Sequence, residues 1–204
     1  MSLDRLICGF ATVYDEPSID GTIMHRAEQF ERFLRDPLLL GYPQILLFHR
    51  DPLSARERMG YWYAFRGVAG VDGRPDGLLA LGLLGESPSA RTIAEEVGSD
   101  VTKWALSIGA KDVSDAEDGS QLWLTETTIG RRLQPGEKPQ PGVHTAFDRA
   151  AVLRIGETCA EAWEVVTGEA RMPLPPDRPT QTVYGQWVQT TAGTLVREQW
   201  QEPI

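Results

Sequence analysis

The hydroxyl group of Ser107 interrupts a short apolar run, and its position in that run suggests covalent chemistry. The run covers residues 104–108 (Trp-Ala-Leu-Ser-Ile) and is followed at once by Gly109. An apolar run of this length predicts a buried strand, and a buried hydroxyl needs a hydrogen-bond partner. A serine whose partner is a histidine can act as a nucleophile, whereas a strand serine bonded to a backbone carbonyl has only a structural role.

The histidine best placed to partner such a serine is His49. It follows the apolar run at residues 45–48 and precedes the turn Arg50-Asp51-Pro52, so we expect it at the end of a core strand. Imidazole titrates closest to neutrality among the side chains, which suits it to accept and return a proton. His25 begins a predicted helix and is expected to serve no chemistry.

The composition is that of one ordinary globular domain. The chain has 204 residues, of which 41% are hydrophobic and 24% charged, with a net charge of -9. This charge disfavours nucleic acid and favours basic partners. No apolar stretch approaches ~18 residues and no signal peptide is recognisable, so we expect no membrane contact. Cys8 and Cys159 form no metal-binding pattern, and two reduced thiols in an intracellular protein are expected.

The pattern of apolar residues predicts alternating strands and helices. Segment 150–166 begins as a strand and then either continues or turns into a helix. Four prolines follow Arg171 within nine residues, at 173, 175, 176 and 179. We therefore expect a domain over residues 1–170 and a Pro-rich linker and C-terminal arm over 171–204. The predicted strands cover residues 6–14, 45–48, 59–65, 78–84, 104–110 and 121–129, and the predicted helices cover 25–34 and 87–97. We expect the strands at 59–65 and 78–84 to form a hairpin and the strand at 121–129 to pair antiparallel with the strand at 104–110. Ser87 or Ser89 is the candidate N-cap of the second helix, and Gly98 is expected to end it.

Five features occur in a particular order along residues 6–110. They are the glycine-containing strand at 9–15 (Gly-Phe-Ala-Thr-Val-Tyr-Asp), a helix carrying Phe30, Leu-Phe-His-Arg-Asp at 47–51, Asp-Gly-Leu-Leu at 76–79, and Leu-Ser-Ile-Gly at 106–109 after a second helix. This ordered set resembles the prohead (capsid maturation) proteases of tailed bacteriophages, a family of serine proteases.

The resemblance implies an α+β fold of the herpesvirus-assemblin type, with a mostly antiparallel, barrel-like β core flanked by helices. It makes Ser107 the nucleophile and His49 the general base. For the third catalytic residue it implies Glu157, although another register puts Arg154 at that place. His144 is the alternative, because herpesvirus assemblins use a second histidine.

A further part of the resemblance concerns the oxyanion hole. Gly130-Arg131-Arg132 is similar to the arginine-bearing loop that serves the assemblins. Backbone N–H groups near the nucleophile are the other usual donors.

The function implied is that of an endopeptidase acting in the host cytoplasm, inside the viral procapsid. Its substrates would be the scaffold, a scaffold-like segment of the major capsid protein, and the protease itself. No cofactor is implied, and self-association stays open. Two alternatives remain: a non-catalytic scaffold or assembly protein with a decayed protease fold, and a cellular serine hydrolase unrelated to phages.

Overall fold

The chain folds as an α+β protein around a curled seven-stranded sheet. A computed structural model describes residues 3–17, 24–47, 57–70, 76–114, 120–132, 152–176, 180–189 and 195–203. These residues form nine strands and three α-helices. The strands are β1 (Leu6–Val13), β2 (Gln44–Leu47), β3 (Glu57–Val68), β4 (Gly77–Leu84), β5 (Trp104–Asp112), β6 (Leu122–Arg131), β7 (Val152–Ile155), β8 (Thr180–Gln189) and β9 (Leu195–Pro203), and the helices are α1 (Glu31–Arg35), α2 (Pro88–Ser99) and α3 (Cys159–Thr167).

The strands of the main sheet lie in the order β5-β6-β2-β3-β4-β1-β7. Neighbouring strands run antiparallel except β2 and β6, which are parallel. The sheet curls into a half-barrel, so that Ile7 and Ala11 of β1 share one hydrophobic cluster with Leu106 of β5. The expectation of an α+β fold with a barrel-like core is therefore confirmed.

Apolar side chains fill the concave, inner face of the sheet. Trp62 lies at the centre of this inner cluster, fully buried, and its indole N–H donates a hydrogen bond of 2.5 Å to Thr127 Oγ1. Phe33 of α1 packs edge-on against Phe65 and Trp123. Helix α2 adds its own apolar residues, so α1 and α2 close the open side of the half-barrel.

Helix α3 covers the convex, outer face of the sheet around β1. Trp163 is fully buried there, and its indole N–H donates a hydrogen bond of 2.9 Å to Glu169, which also accepts one from Arg66. The Arg66 hydrogen bond is the main cause of a lowered Glu169 pKa. Cys8 and Cys159 belong to the same outer cluster as free thiols, and burial raises the pKa of Cys8 to about 12.

The helix boundaries follow local chemistry and correct two predictions. Ser87 is the N-cap of α2, since its Oγ accepts a hydrogen bond of 3.2 Å from the Ala90 N–H, and Pro88 takes the first helical position. Gly98 was expected to end this helix, but the helix continues to Ser99. The predicted helix over 25–34 begins later, as a 3-10 turn at Ala27–Phe30 that leads into α1.

The C-terminal third combines a strand, a helix and a hairpin. Segment 150–166 contains β7 and then α3, separated by a 3-10 turn that starts at Gly156, whose φ is +70°. The first prolines of the predicted linker pack on the domain, where Tyr63 O–H donates a 3.2 Å hydrogen bond to the Pro173 carbonyl. Strands β8 and β9 then pair with each other as a separate two-stranded sheet. Within the described residues no helix is long and apolar enough to cross a membrane.

The close approach of β3 and β4 requires glycine at position 60. A Cβ atom there would lie 2.1 Å from the Leu83 carbonyl oxygen and 2.9 Å from Leu84 Cα. Since both are backbone atoms, Gly60→Ala should force the strands apart and lower the free energy of unfolding by about 3 kcal/mol. In Gly98→Ala the new Cβ would meet only a side-chain methyl at 3.3 Å, in a helix. In urea titrations this control should change the free energy of unfolding by less than about 1 kcal/mol. Equal losses of stability in the two variants would contradict the steric requirement for glycine at position 60.

Candidate functional site

The side chain of Ser107 points away from the core. Leu106 is fully buried in the inner cluster, and Trp104 and Ile108 pack against the same cluster. Because successive side chains of a strand alternate between faces, Ser107 lies on the outer face of β5. The strand is buried on its inner side as expected, but the expectation that Ser107 is buried within it is wrong, since this residue is only partly buried.

The Ser107 hydroxyl has no hydrogen-bond partner among the described residues. The same holds for Thr128, the residue directly opposite it on β6. Thr128 faces outwards like Ser107, since its neighbours Thr127 and Ile129 both belong to the inner side of the sheet. Among the described residues, Ser107 therefore does not have the purely structural role of a serine bonded to a strand carbonyl. Its hydroxyl can accept another partner.

Small residues surround Ser107 on its own face. Ala105 and Gly109 stand two residues before and after it, and Gly130 lies opposite Ala105. Ala105 is 2% exposed whereas Gly109 is partly exposed, so the exposure of this row of residues increases from Ala105 towards Gly109. Helix α3 packs on the outer face around β1, and the described residues of the outer face next to Ser107 have short side chains.

Strand β2, which precedes His49 in the chain, lies two strands away from Ser107. Leu46 pairs with Thr128, which in turn pairs with Ser107, so the three residues form one row across the sheet. With strands about 4.8 Å apart, the row places Leu46 and Ser107 about 10 Å apart. The described part of β2 ends at Leu47. His49 follows two positions later and, like the alternative residue His144, lies outside the described residues.

The remaining candidate residues lie within the described part of the chain, and no described contact joins them to Ser107. Glu157 lies exposed in the 3-10 turn after β7, at the opposite edge of the sheet order from β5. Arg131 ends β6 opposite Trp104, and the Arg132 N–H donates a 2.7 Å hydrogen bond to the Lys103 carbonyl. The roles of Glu157 and of these arginines stay predictions.

Two neighbours of Ser107 were missed by sequence reasoning. They are Thr128 and Glu126, which faces Gly109 across the β5–β6 pair. The antiparallel pairing itself was predicted, but the register was not. The intervening acidic turn has no sequence signal that fixes its length, and the register decides which residues of β6 stand opposite the serine.

One hydroxyl–imidazole pair is present among the described residues, and it does not include Ser107. Thr12 Oγ1 and His25 Nδ1 lie 2.8 Å apart, and the Asp15 N–H donates a 2.7 Å hydrogen bond to the His25 carbonyl. Thr12 is 0% exposed and His25 is 9% exposed, with Phe30 packed edge-on against the imidazole. Because Thr12 is closed to solvent, we assign this pair a structural role.

The described residues contain no group of three or more histidine, cysteine, aspartate or glutamate side chains that could hold a metal ion.

Comparison with known proteins adds no family assignment. No protein-family model matches the chain, and no curated protein matches it significantly.

The buried His25 should make stability depend on pH. Burial lowers the pKa of its imidazole below the ordinary 6.5, so the unfolded chain binds a proton more readily than the folded one. The contribution of the neutral His25 to the free energy of unfolding is therefore fully present above pH 6.5 and is lost as the pH falls below it. His25→Asn keeps a polar group near Thr12 and removes this titration. Urea titrations between pH 7.5 and 5.5 should give a smaller loss of stability for the variant than for wild type; parallel losses would refute the role of His25.

Proposed function

We propose that this protein is a serine endopeptidase with Ser107 as nucleophile and His49 as general base. The proposal is carried by the exposure of Ser107 and by the lack of a described hydrogen-bond partner for its hydroxyl. Its hydroxyl lies partly exposed on the outer face of β5, among small residues, with no hydrogen-bond partner among the described residues. A peptide carbonyl could approach such a hydroxyl without displacing a structural contact.

The position of β2 supports His49 as the partner of this serine. Leu46 lies in the same row of the sheet as Ser107, and only Phe48 separates Leu47 from His49. Two residues of extended chain reach at most ~7 Å. His49 therefore follows closely after β2, which pairs with β6, the strand that pairs with β5 and Ser107. This is compatible with a loop that brings the imidazole to the hydroxyl.

The reaction would follow the two steps of acyl transfer. In the first step Ser107 Oγ attacks the peptide carbonyl carbon while His49 accepts the hydroxyl proton. The tetrahedral intermediate collapses when His49 returns that proton to the leaving amine, and the acyl group stays on Ser107 as an ester. In the second step water attacks the ester with His49 as base, which releases the new carboxylate and restores the serine.

The third catalytic residue and the oxyanion donors come from the resemblance alone. Glu157 would orient His49 and stabilise its charged form, with His144 as the alternative. Arg131 and Arg132 are the candidates for stabilising the oxyanion. Each of these assignments is part of the proposal.

The biological role that we propose is maturation of a phage procapsid. The ordered motifs along residues 6–110 are the support for it, together with the acidic charge of the chain. The enzyme would cleave the scaffold or a scaffold-like segment of the major capsid protein, and itself, within the procapsid in the host cytoplasm. Self-association would accompany this packaging.

The decisive experiment is co-expression of the chain with the major capsid and scaffold proteins of the same virus. Wild type should shorten them, and Ser107→Ala should reduce the rate by at least about 10³-fold, because the nucleophile is lost. Ser99→Ala, which removes an exposed hydroxyl at the end of α2, serves as the matched control and should cleave like wild type. Cleaved products are measured by mass spectrometry.

Stability of the same variants separates catalysis from structure. Because Ser107 has no described hydrogen-bond partner, Ser107→Ala should unfold within about 0.5 kcal/mol of wild type. A fluorophosphonate should label wild type and not Ser107→Ala. Intact substrates with wild type, together with absent labelling, would exclude the protease and leave the non-catalytic assembly protein.

A further inference from the structure

Strands β8 and β9 form a hairpin that is separate from the main sheet. Residues Thr180–Gln189 of β8 pair antiparallel with Leu195–Pro203 of β9, and no other described strand pairs with either of them. A two-stranded hairpin alone is marginally stable in water, whereas three or more strands can form a lasting sheet. This hairpin therefore needs a further strand at one of its two edges.

The free edge of β8 has none of the features that protect edge strands. Its sequence, Thr-Gln-Thr-Val-Tyr-Gly-Gln-Trp-Val-Gln, contains no charged residue and no proline, and it is rich in residue types that favour strands. Strand β9, by contrast, contains Arg197, Glu198 and Glu202 and ends at Pro203. Because charges and proline are what keep an exposed edge from pairing, β8 is the edge that is open to another strand.

A bulge defines the part of β8 that can accept a straight strand. The register shifts between Tyr184 and Trp187, where β8 has one residue more than β9. The regular stretch before the bulge is Thr180–Tyr184, and Thr182 is its middle residue. An antiparallel pair of identical strands has two-fold symmetry, so this stretch can pair with its own copy about Thr182. Directly opposite residues of such a pair lie about 5 Å apart.

The segment that leads to the hairpin is held on the main domain. The Tyr63 O–H donates a 3.2 Å hydrogen bond to the Pro173 carbonyl, Met172 packs against the outer cluster, and Pro175 is buried. Pairing of two hairpins would therefore join two domains through anchored segments.

We propose that β8 pairs edge to edge with β8 of a second copy of this chain, which makes a four-stranded sheet in the order β9-β8-β8-β9 and joins the two chains as a dimer. The chain has a net charge of -9, so two copies repel each other. This repulsion is least along β8, because no like charges meet across a pair of uncharged strands. The pairing does not depend on the proposed endopeptidase activity.

The test is the oligomeric state of the full chain, measured by sedimentation velocity over a range of concentrations. Wild type should form dimers with a dissociation constant of about 10 μM, because one strand edge makes a small interface. Thr182→Lys places two lysines side by side at the two-fold axis and should raise the dissociation constant at least about tenfold. Gln201→Lys, at the position of β9 that pairs with Thr182, is the matched control and should dimerise like wild type.

A charge-exchange experiment separates the loss of pairing from damage to the hairpin. Thr182→Glu should also fail to dimerise with itself, whereas an equimolar mixture of Thr182→Lys and Thr182→Glu should form mixed dimers about as tight as those of wild type. Only hairpins that remain folded and meet at residue 182 give this result. Native mass spectrometry identifies the mixed dimer by its mass.

The outcomes decide whether β8 is the pairing edge. Wild type that stays monomeric at every concentration, or a mixture in which no mixed dimer forms, overturns the pairing of β8. Loss of the dimer in Gln201→Lys with the dimer retained in Thr182→Lys would place the contact at β9 and would also overturn it. Ser107→Ala should dimerise like wild type, so the dimer and the proposed endopeptidase activity are tested separately.

Discussion

The pleat of β5 is the constraint on which the site depends. Leu106 and Ile108 contribute to the inner cluster, and this fixes which way every other residue of the strand must face. Ser107 faces outwards for this reason, since a slip of one residue would exchange it with a core leucine. The burial of hydrocarbon on one side of a strand therefore holds a polar group in place on the other. Any catalytic role for Ser107 relies on packing that the serine itself does not take part in.

Close packing around the centre of the sheet depends on glycine residues, which have no side chain. Gly60 and Gly82 allow β3 and β4 to approach and leave room for Trp62, whose indole then reaches Thr127 on β6. The same device recurs on the outer face, where Gly109 leaves the space that Glu126 fills. Glycine thus serves the core in one place and the outer face of β5 in the other. In both cases the requirement is steric and does not involve unusual backbone angles.

Local signals in the sequence predicted much of this fold, and non-local pairing limited the rest. The β3–β4 and β5–β6 pairings and the Ser87 cap follow from alternation and capping chemistry, which act over a few residues. The parallel pairing of β2 with β6 joins segments about 80 residues apart, and no local pattern encodes it. The site shows the same division. Ser107 could be singled out because a hydroxyl in an apolar run is unusual, whereas Glu126 enters the site only through the register of two strands.

The parallel β2–β6 pairing also bears on the order in which parts of the sheet can form during folding. β5 and β6 make one local unit and β3 and β4 another, and the sheet runs from one to the other through β2. Pairings between distant segments form slowly because the intervening chain must first be ordered. Ser107 belongs to the β5–β6 unit, whereas His49 follows β2 in the sequence, so the β2–β6 pairing must form before the two residues can act together. A nascent or partly folded chain would then hold the nucleophile apart from its base, and hydrolysis would begin only once the sheet is complete.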